Sequence, residues 1–160
     1  MIKTKIIDNW LGEDLVDYLN HHFLFNLPHF YGHKSNYDDK SSFYVTPLNI
    51  DDALNKFLFY KLEKTLDKNL NLNKMYLNIQ HQNMDGSFHV DTSTDNNVYM
   101  TCIYMVTNTL KDGGAFEIKN EDIIPFVQNR LIIFDANKLH RGLSPNKNEV
   151  RITLAFKIKE

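Results

Sequence analysis

His89-Val90-Asp91 and His140 are the residues of this sequence best suited to chemistry. In an extended segment, side chains two apart face the same way, so His89 and Asp91 can share one ion. His140 lies much later, behind several strand-like stretches, and a folded-over sheet can bring it opposite the pair. Two imidazoles and one carboxylate on one face of an octahedral metal are the donor set of non-haem iron(II) centres, with the other face open for co-substrate and oxygen. Seven histidines in 160 residues make chance pairings easy. The alternative is a solvated His89 at a strand end and a His140 satisfied in the core.

The next chemical feature is Arg151-Ile152-Thr153, on the strand-like stretch after His140. Alternation puts Arg151, Thr153, Ala155 and Lys157 on one face, and Ile152, Leu154, Phe156 and Ile158 on the other. A guanidinium offers a two-pronged grip to a carboxylate, and a threonine hydroxyl beside it adds a donor. Next to a metal, that pair suits a dicarboxylate. Away from one, it reads as a surface ion pair on an edge strand.

These residues need elements to position them. Leu11, Leu15, Tyr18, Leu19 and Phe23 recur at spacings of three and four, predicting a helix over 12–23. Leu54, Phe57, Leu58, Leu62 and Leu66 predict another over 51–70, with Asn49 or Asp51 as its cap. Between them, residues 28–49 are rich in aromatics and read as a long loop ending in a strand. From residue 75 the pattern turns strand-like, over 76–83, 87–91, 97–107, 115–119, 130–135, 139–144 and 150–159, with Asp-Gly, Gly-Gly, Pro and Asn between. Short strands at this density predict a mainly β (α+β) sandwich or jelly roll, with the helices backing one sheet. Residues 1–160 are then one domain. Residues 1–74 supply helices and an aromatic loop, and 75–160 the core. The loops 28–49 and 92–97 are expected to flank the open side of the metal, the second being polar enough to act as a lid.

Composition narrows the class. A formal charge of −2 argues against a dedicated nucleic-acid binder, which needs clustered Lys and Arg. The single cysteine, Cys102, sits in an apolar run and fits a reducing compartment as a small buried residue. No signal-peptide pattern and no membrane-length apolar run are visible, so a cytoplasmic location is expected. Oligomeric state is not legible.

The order of features over residues 75–158 completes a pattern. His89-Val90-Asp91 is followed by Cys102-Ile103-Tyr104, Gly113-Gly114, Pro125, Arg130-Leu131 with Phe134, His140 and Arg151. As a set, this resembles the prolyl-4-hydroxylase-like branch of the iron(II)/2-oxoglutarate-dependent dioxygenases. The opening Ile7-Asp8-Asn9-Trp10-Leu11 is similar to the strand and helix that often precede that core.

The resemblance implies a double-stranded β-helix, with Fe(II) on His89, Asp91 and His140. 2-Oxoglutarate would be anchored by Arg151, with O2 as second co-substrate and ascorbate as a supporting reductant. One oxygen atom would enter an unactivated C–H bond and the other succinate, with release of CO2. A protein or peptide side chain is the implied substrate, with a small molecule as the rival within the family. A non-catalytic metal-binding jelly roll is the alternative class. Several positions depart from the branch. Met105 stands where a carboxylate-binding tyrosine is usual, and Thr153 is the expected substitute. His81 falls near another family tyrosine and is either a co-substrate contact or a core histidine. Thr101 matches a pocket-lining threonine, or is an ordinary strand residue. Ala115 replaces an acidic residue. Lys157 stands where the nucleobase-demethylating branch has a second arginine, which argues against nucleic-acid chemistry.

Overall fold

The strand-like stretches settle into two antiparallel sheets. The computed structural model describes residues 2–93 and 97–159. The larger sheet contains β1 (Lys5–Ile7), β2 (Phe30–His33), β3 (Phe43–Pro47), β4 (Asn71–Gln80), β5 (Val98–Met105), β7 (Leu131–Asp135) and β9 (Arg151–Lys159). The smaller pairs β6 (Phe116–Ile118) with β8 (His140–Gly142). Spatial order in the larger sheet is β1-β7-β5-β9-β4-β3-β2. Single bridges extend the smaller sheet on both sides, Ile124 onto Phe116 and His89 onto His140. This is the mainly β, jelly-roll architecture expected from the strand density.

Helices α1 (Glu13–Phe25) and α2 (Ala53–Leu66) cover the outer face of the larger sheet. Their buried stripes are narrower than the periodicity predicts. Val16, Leu19 and Phe23 face inward from α1, and Leu58 and Leu62 from α2, while Tyr18 and Phe57 stay exposed. The expected cap of α2 is also displaced. Asp52 takes the N-cap position without a side-chain bond. Asn49 instead turns the preceding chain, its Oδ1 accepting from Asp51 N at 3.0 Å and its carbonyl from Asn55 Nδ2 at 2.8 Å.

Two apolar cores result. Ile152, Leu154, Phe156 and Ile158 of β9 pack against the helices. Ala155 faces the interior between the sheets, with Ile103, Met105, Phe116 and Phe134. The alternation read along 151–158 is thus realised. Leu154 has no exposed surface, and Leu154→Ala is expected to cost about 2–5 kcal/mol through lost burial and a residual cavity. Chemical denaturation followed by circular dichroism measures this.

Two stretches differ from expectation. Residues 28–49 are more than a loop: β2 and β3 form an antiparallel pair at the sheet edge, because Tyr44 to Pro47 register against Ile79 to Tyr76. Gly32, at φ 111°, makes the bulge in β2 that a side chain would resist. Residues 87–91 are not a full strand. His89 alone bridges to its neighbour, and Asp91 opens a 3-10 turn, Asp91–Ser93, after its amide bonds Ala136 O at 3.0 Å.

Candidate active site

His89 and His140 pair along the edge of the smaller sheet. Their backbones exchange both hydrogen bonds, at 3.1 and 3.0 Å, the close antiparallel pairing that puts residues face to face. Their rings lie 4.4 Å apart between centroids. The turn after His89 carries Asp91 back beneath both. Asp91 Oδ1 is 3.7 Å from His89 Nε2, and Oδ2 is 3.6 Å from His140 Nε2. One ligand atom from each of the three lies within 4.8 Å of the others. Ligands about 2.0–2.2 Å from one ion sit about 3 Å apart on a shared face, so slight inward rotations would close the set.

The tautomers fit this role. His89 Nδ1 lies 3.0 Å from Ser87 O and His140 Nδ1 2.8 Å from Lys138 O. A carbonyl can only accept, so each Nδ1 carries the hydrogen and each Nε2 presents a lone pair to the common point. Burial pulls the His140 pKa down to about 4, keeping that imidazole neutral near neutral pH. Burial works to raise the Asp91 carboxyl, but Lys157, His140 and Thr101 outweigh it and hold Asp91 below its usual range. Two imidazoles and a carboxylate match Fe(II) or a similar divalent ion.

Asp91 Oδ2 is also held from the larger sheet. The Thr101 hydroxyl donates to it, and the Lys157 ammonium pairs with it. Thr101 and Lys157 face each other in register on β5 and β9. Tyr76, from β4, bonds the same ammonium. Thr101 therefore touches the Asp91 carboxylate rather than lining the cavity. Removing its hydroxyl with Thr101→Val is expected to weaken metal binding about 10- to 100-fold, the usual cost of losing a partner of a ligand. Calorimetric Mn(II) titration reads this out.

A cavity of about 700 Å³ opens beside the triad, lined in part by Asn78, Gln80, Gly142, Arg151, Thr153 and Lys157. Arg151 is 2% exposed. Its Nε donates to Gly114 O at 2.8 Å and its Nη1 to Gln80 Oε1 at 2.6 Å. Both acceptors are neutral. Among the described residues no carboxylate forms an ion pair with it, and burial lowers its pKa to about 9. A buried cation without a counter-ion calls for an anionic ligand. The other nearby arginines are taken: Arg130 by Asp8 and Arg141 by Glu117, each with its Nε 2.6 Å from a carboxylate oxygen.

The remaining expected site residues divide. Thr153 lines the cavity with Arg151. His81 does not line it, and its ring packs 5.8 Å from Tyr44. Strand β4 turns Tyr76, Asn78 and Gln80 inward instead, and Asn78 Oδ1 is buried without a hydrogen bond. Sequence reasoning missed Gln80, and it placed Lys157 on the Arg151 face without its contact to Asp91. Alternation along β4 and β9 was the signal for both.

The β2–β3 pair brings His33 and Phe43 to the cavity wall, and Asn36 Nδ2 reaches Phe88 O at 3.1 Å beside His89. Residues 28–49 thus border the site. Burial lowers the His33 pKa, with smaller effects from His89 and Lys157. In the segment 92–97, residues 94–96 lie outside the described residues; Thr92 Oγ1 donates to Asn137 Oδ1 at 3.1 Å.

No family model matches the sequence, and no curated protein does. Solved structures do match. A prolyl hydroxylase from Trichoplax adhaerens, in complex with a hypoxia inducible factor peptide fragment, superimposes with a TM-score of 0.75 at 12% identity, over 98% of this chain and 83% of that one. The viral collagen prolyl hydroxylase of Paramecium Bursaria Chlorella virus-1 gives 0.69 at 14%, over 98% and 95%. The chain has the fold of the 2OG-Fe(II) oxygenases. The alpha ketoglutarate dependent epimerase SnoN from nogalamycin biosynthesis shares this oxygenase fold, at a TM-score of 0.72 and 10% identity over 98% and 77%. Among the described residues of this oxygenase-fold chain, no helix is long and apolar enough to cross a membrane.

Proposed function

We propose that this protein is an Fe(II)- and 2-oxoglutarate-dependent dioxygenase, with residues 1–160 as one catalytic domain. The observation that carries the reading is the pairing of two sites in one cavity. His89, Asp91 and His140 present metal-ligating atoms, and beyond them Arg151 is a buried cation whose hydrogen-bond partners among the described residues are neutral. Neither feature alone requires the other. Together they suit a metal and a dicarboxylate bound side by side.

Bound Fe(II) would supply the redox chemistry that couples O2 reduction to oxidative decarboxylation of 2-oxoglutarate, with ascorbate restoring the ferrous state. The chain does the rest. His89, Asp91 and His140 hold the ion by one face. Ser87 O and Lys138 O fix the imidazole tautomers, and Thr101 and Lys157 fix the carboxylate. Arg151 and Thr153 receive the far carboxylate of the co-substrate, and Asn78 offers a further polar contact. The test is succinate release from 2-oxoglutarate by purified protein with Fe(II), O2 and ascorbate. No release above metal-free controls, with or without candidate substrates, would count against the reading.

A peptide side chain is the substrate class we favour. Phe30 and Tyr31 are 56% and 65% exposed on the edge strand bordering the cavity, and such aromatic surfaces suit extended or proline-rich peptides. A structural neighbour binds a peptide fragment. A second reading, a small-molecule hydroxylase, has its own support. Pro47, Leu48, Ile50, Leu72 and Val98 give the cavity an apolar stretch able to enclose a compact ligand. Mass spectrometry for an oxygen-dependent gain of one oxygen atom, on peptide libraries and on lysate metabolites, separates the two. A cytoplasmic location agrees with the lone buried Cys102.

A further inference from the structure

The space between the three metal-ligating atoms already faces a cation. Lys157 rises from β9 with its ammonium on Asp91 Oδ2, the oxygen that lies 3.6 Å from His140 Nε2. Its side chain is 9% exposed and passes the Tyr76 ring, 5.9 Å from the centroid. Thr101 closes the other side through the same carboxylate oxygen. Any ion held by the triad therefore lies within a few ångströms of a buried positive charge. Water screens little of that repulsion at such a site.

The charges of the free site can be followed from these contacts. One carboxylate, Asp91, pairs with the buried Lys157 ammonium, and Arg151 is a second buried cation lining the same cavity. A divalent ion raises that excess by two, and a dicarboxylate removes two. We propose that Lys157 makes metal retention depend on the dicarboxylate: its ammonium disfavours a divalent ion in the free protein and accepts the negative charge of a co-substrate in the loaded one. The inference rests on the metal-site reading given above. It makes Lys157 a positioning residue with a sign opposite to that of an ordinary supporting contact. Because binding linkage is reciprocal, the metal strengthens dicarboxylate binding by the same factor.

Mn(II) titration under nitrogen, with and without 2-oxoglutarate, tests this on the wild type, Lys157→Met, Lys157→Gln and Lys157→Arg. Circular dichroism monitors folding. Without 2-oxoglutarate, Lys157→Met and Lys157→Gln are expected to bind Mn(II) about 10- to 100-fold more tightly than the wild type, within the usual range of coupling between sites. Lys157→Arg, which keeps the charge, should behave as the wild type. Neutral variants that bind Mn(II) equally or more weakly would show that Lys157 only steadies Asp91, and the proposal falls while the metal site stands. If the neutral variants fail to fold, a wild-type Mn(II) affinity insensitive to 2-oxoglutarate overturns it. If the wild type and Lys157→Arg bind no Mn(II) in either condition, the proposal falls together with the metal-site reading.

Discussion

His89→Ala is expected to yield a folded protein that neither retains metal nor releases succinate. His89 is the triad member least embedded in the core, with 24% of its side chain exposed. Its backbone bonds to His140 survive the substitution, so the bridge between the two elements persists. What disappears is one of the three proposed metal ligands. Losing a partner of a ligand costs about 10- to 100-fold in metal affinity, and losing the ligand itself should exceed that. Mn(II) titration gives the affinity, and a thermal melt without metal shows whether the fold is kept. An unchanged metal affinity in a folded variant would remove His89 from the site. Asp91 is a poorer choice for this experiment, because its removal strands the Lys157 ammonium in a buried place, where an unpaired charge destabilises the protein strongly.

Arg151→Ala is expected to raise the 2-oxoglutarate requirement by roughly 30- to 1000-fold, corresponding to about 2–4 kcal/mol for a charge-assisted contact to a buried carboxylate. Metal binding without co-substrate should change far less, because Arg151 contacts Gln80 and Gly114 and none of the three ligands. The KM for 2-oxoglutarate, together with direct binding of the dicarboxylate, measures the effect. Arg130 and Arg141 are poor substitutes, since Asp8 and Glu117 already neutralise them. An unchanged requirement would therefore point to Lys157 as the main carboxylate anchor. Gly142 adds a steric check. A Cβ there would meet the guanidinium nitrogens at 3.1 Å, so Gly142→Ala should disturb the same step.

Much of the site could be read along the chain because it depends on local periodicity. Alternation in an extended strand sets Arg151, Thr153 and Lys157 on one face, whatever the fold. The helical stripes around Leu19 and Leu58 are local in the same sense. Where neighbours compete, this reasoning fails. Residues 87–91 look strand-like, yet the bond from Asp91 N to Ala136 O turns the chain after His89. Segment 28–49 looks like a loop, yet β4 offers Tyr44 to Pro47 a ladder of partners. His81 is near the expected position in sequence, but it follows directly after Gln80, the last residue of β4, whose side chain lines the cavity, and a shift of one residue exchanges the two faces.

By itself, then, the sequence determined which residue types were available, which of them share a strand face, and that short strands would dominate after residue 75. Tertiary structure alone decided that His140 pairs with His89, that Lys157 reaches Asp91, and that Gln80 rather than a carboxylate meets Arg151. The physical reason is distance along the chain. Periodicity acts over a few residues, whereas these contacts join segments brought together only when two sheets bury their shared core, and the charge balance at the proposed metal site exists only once they meet.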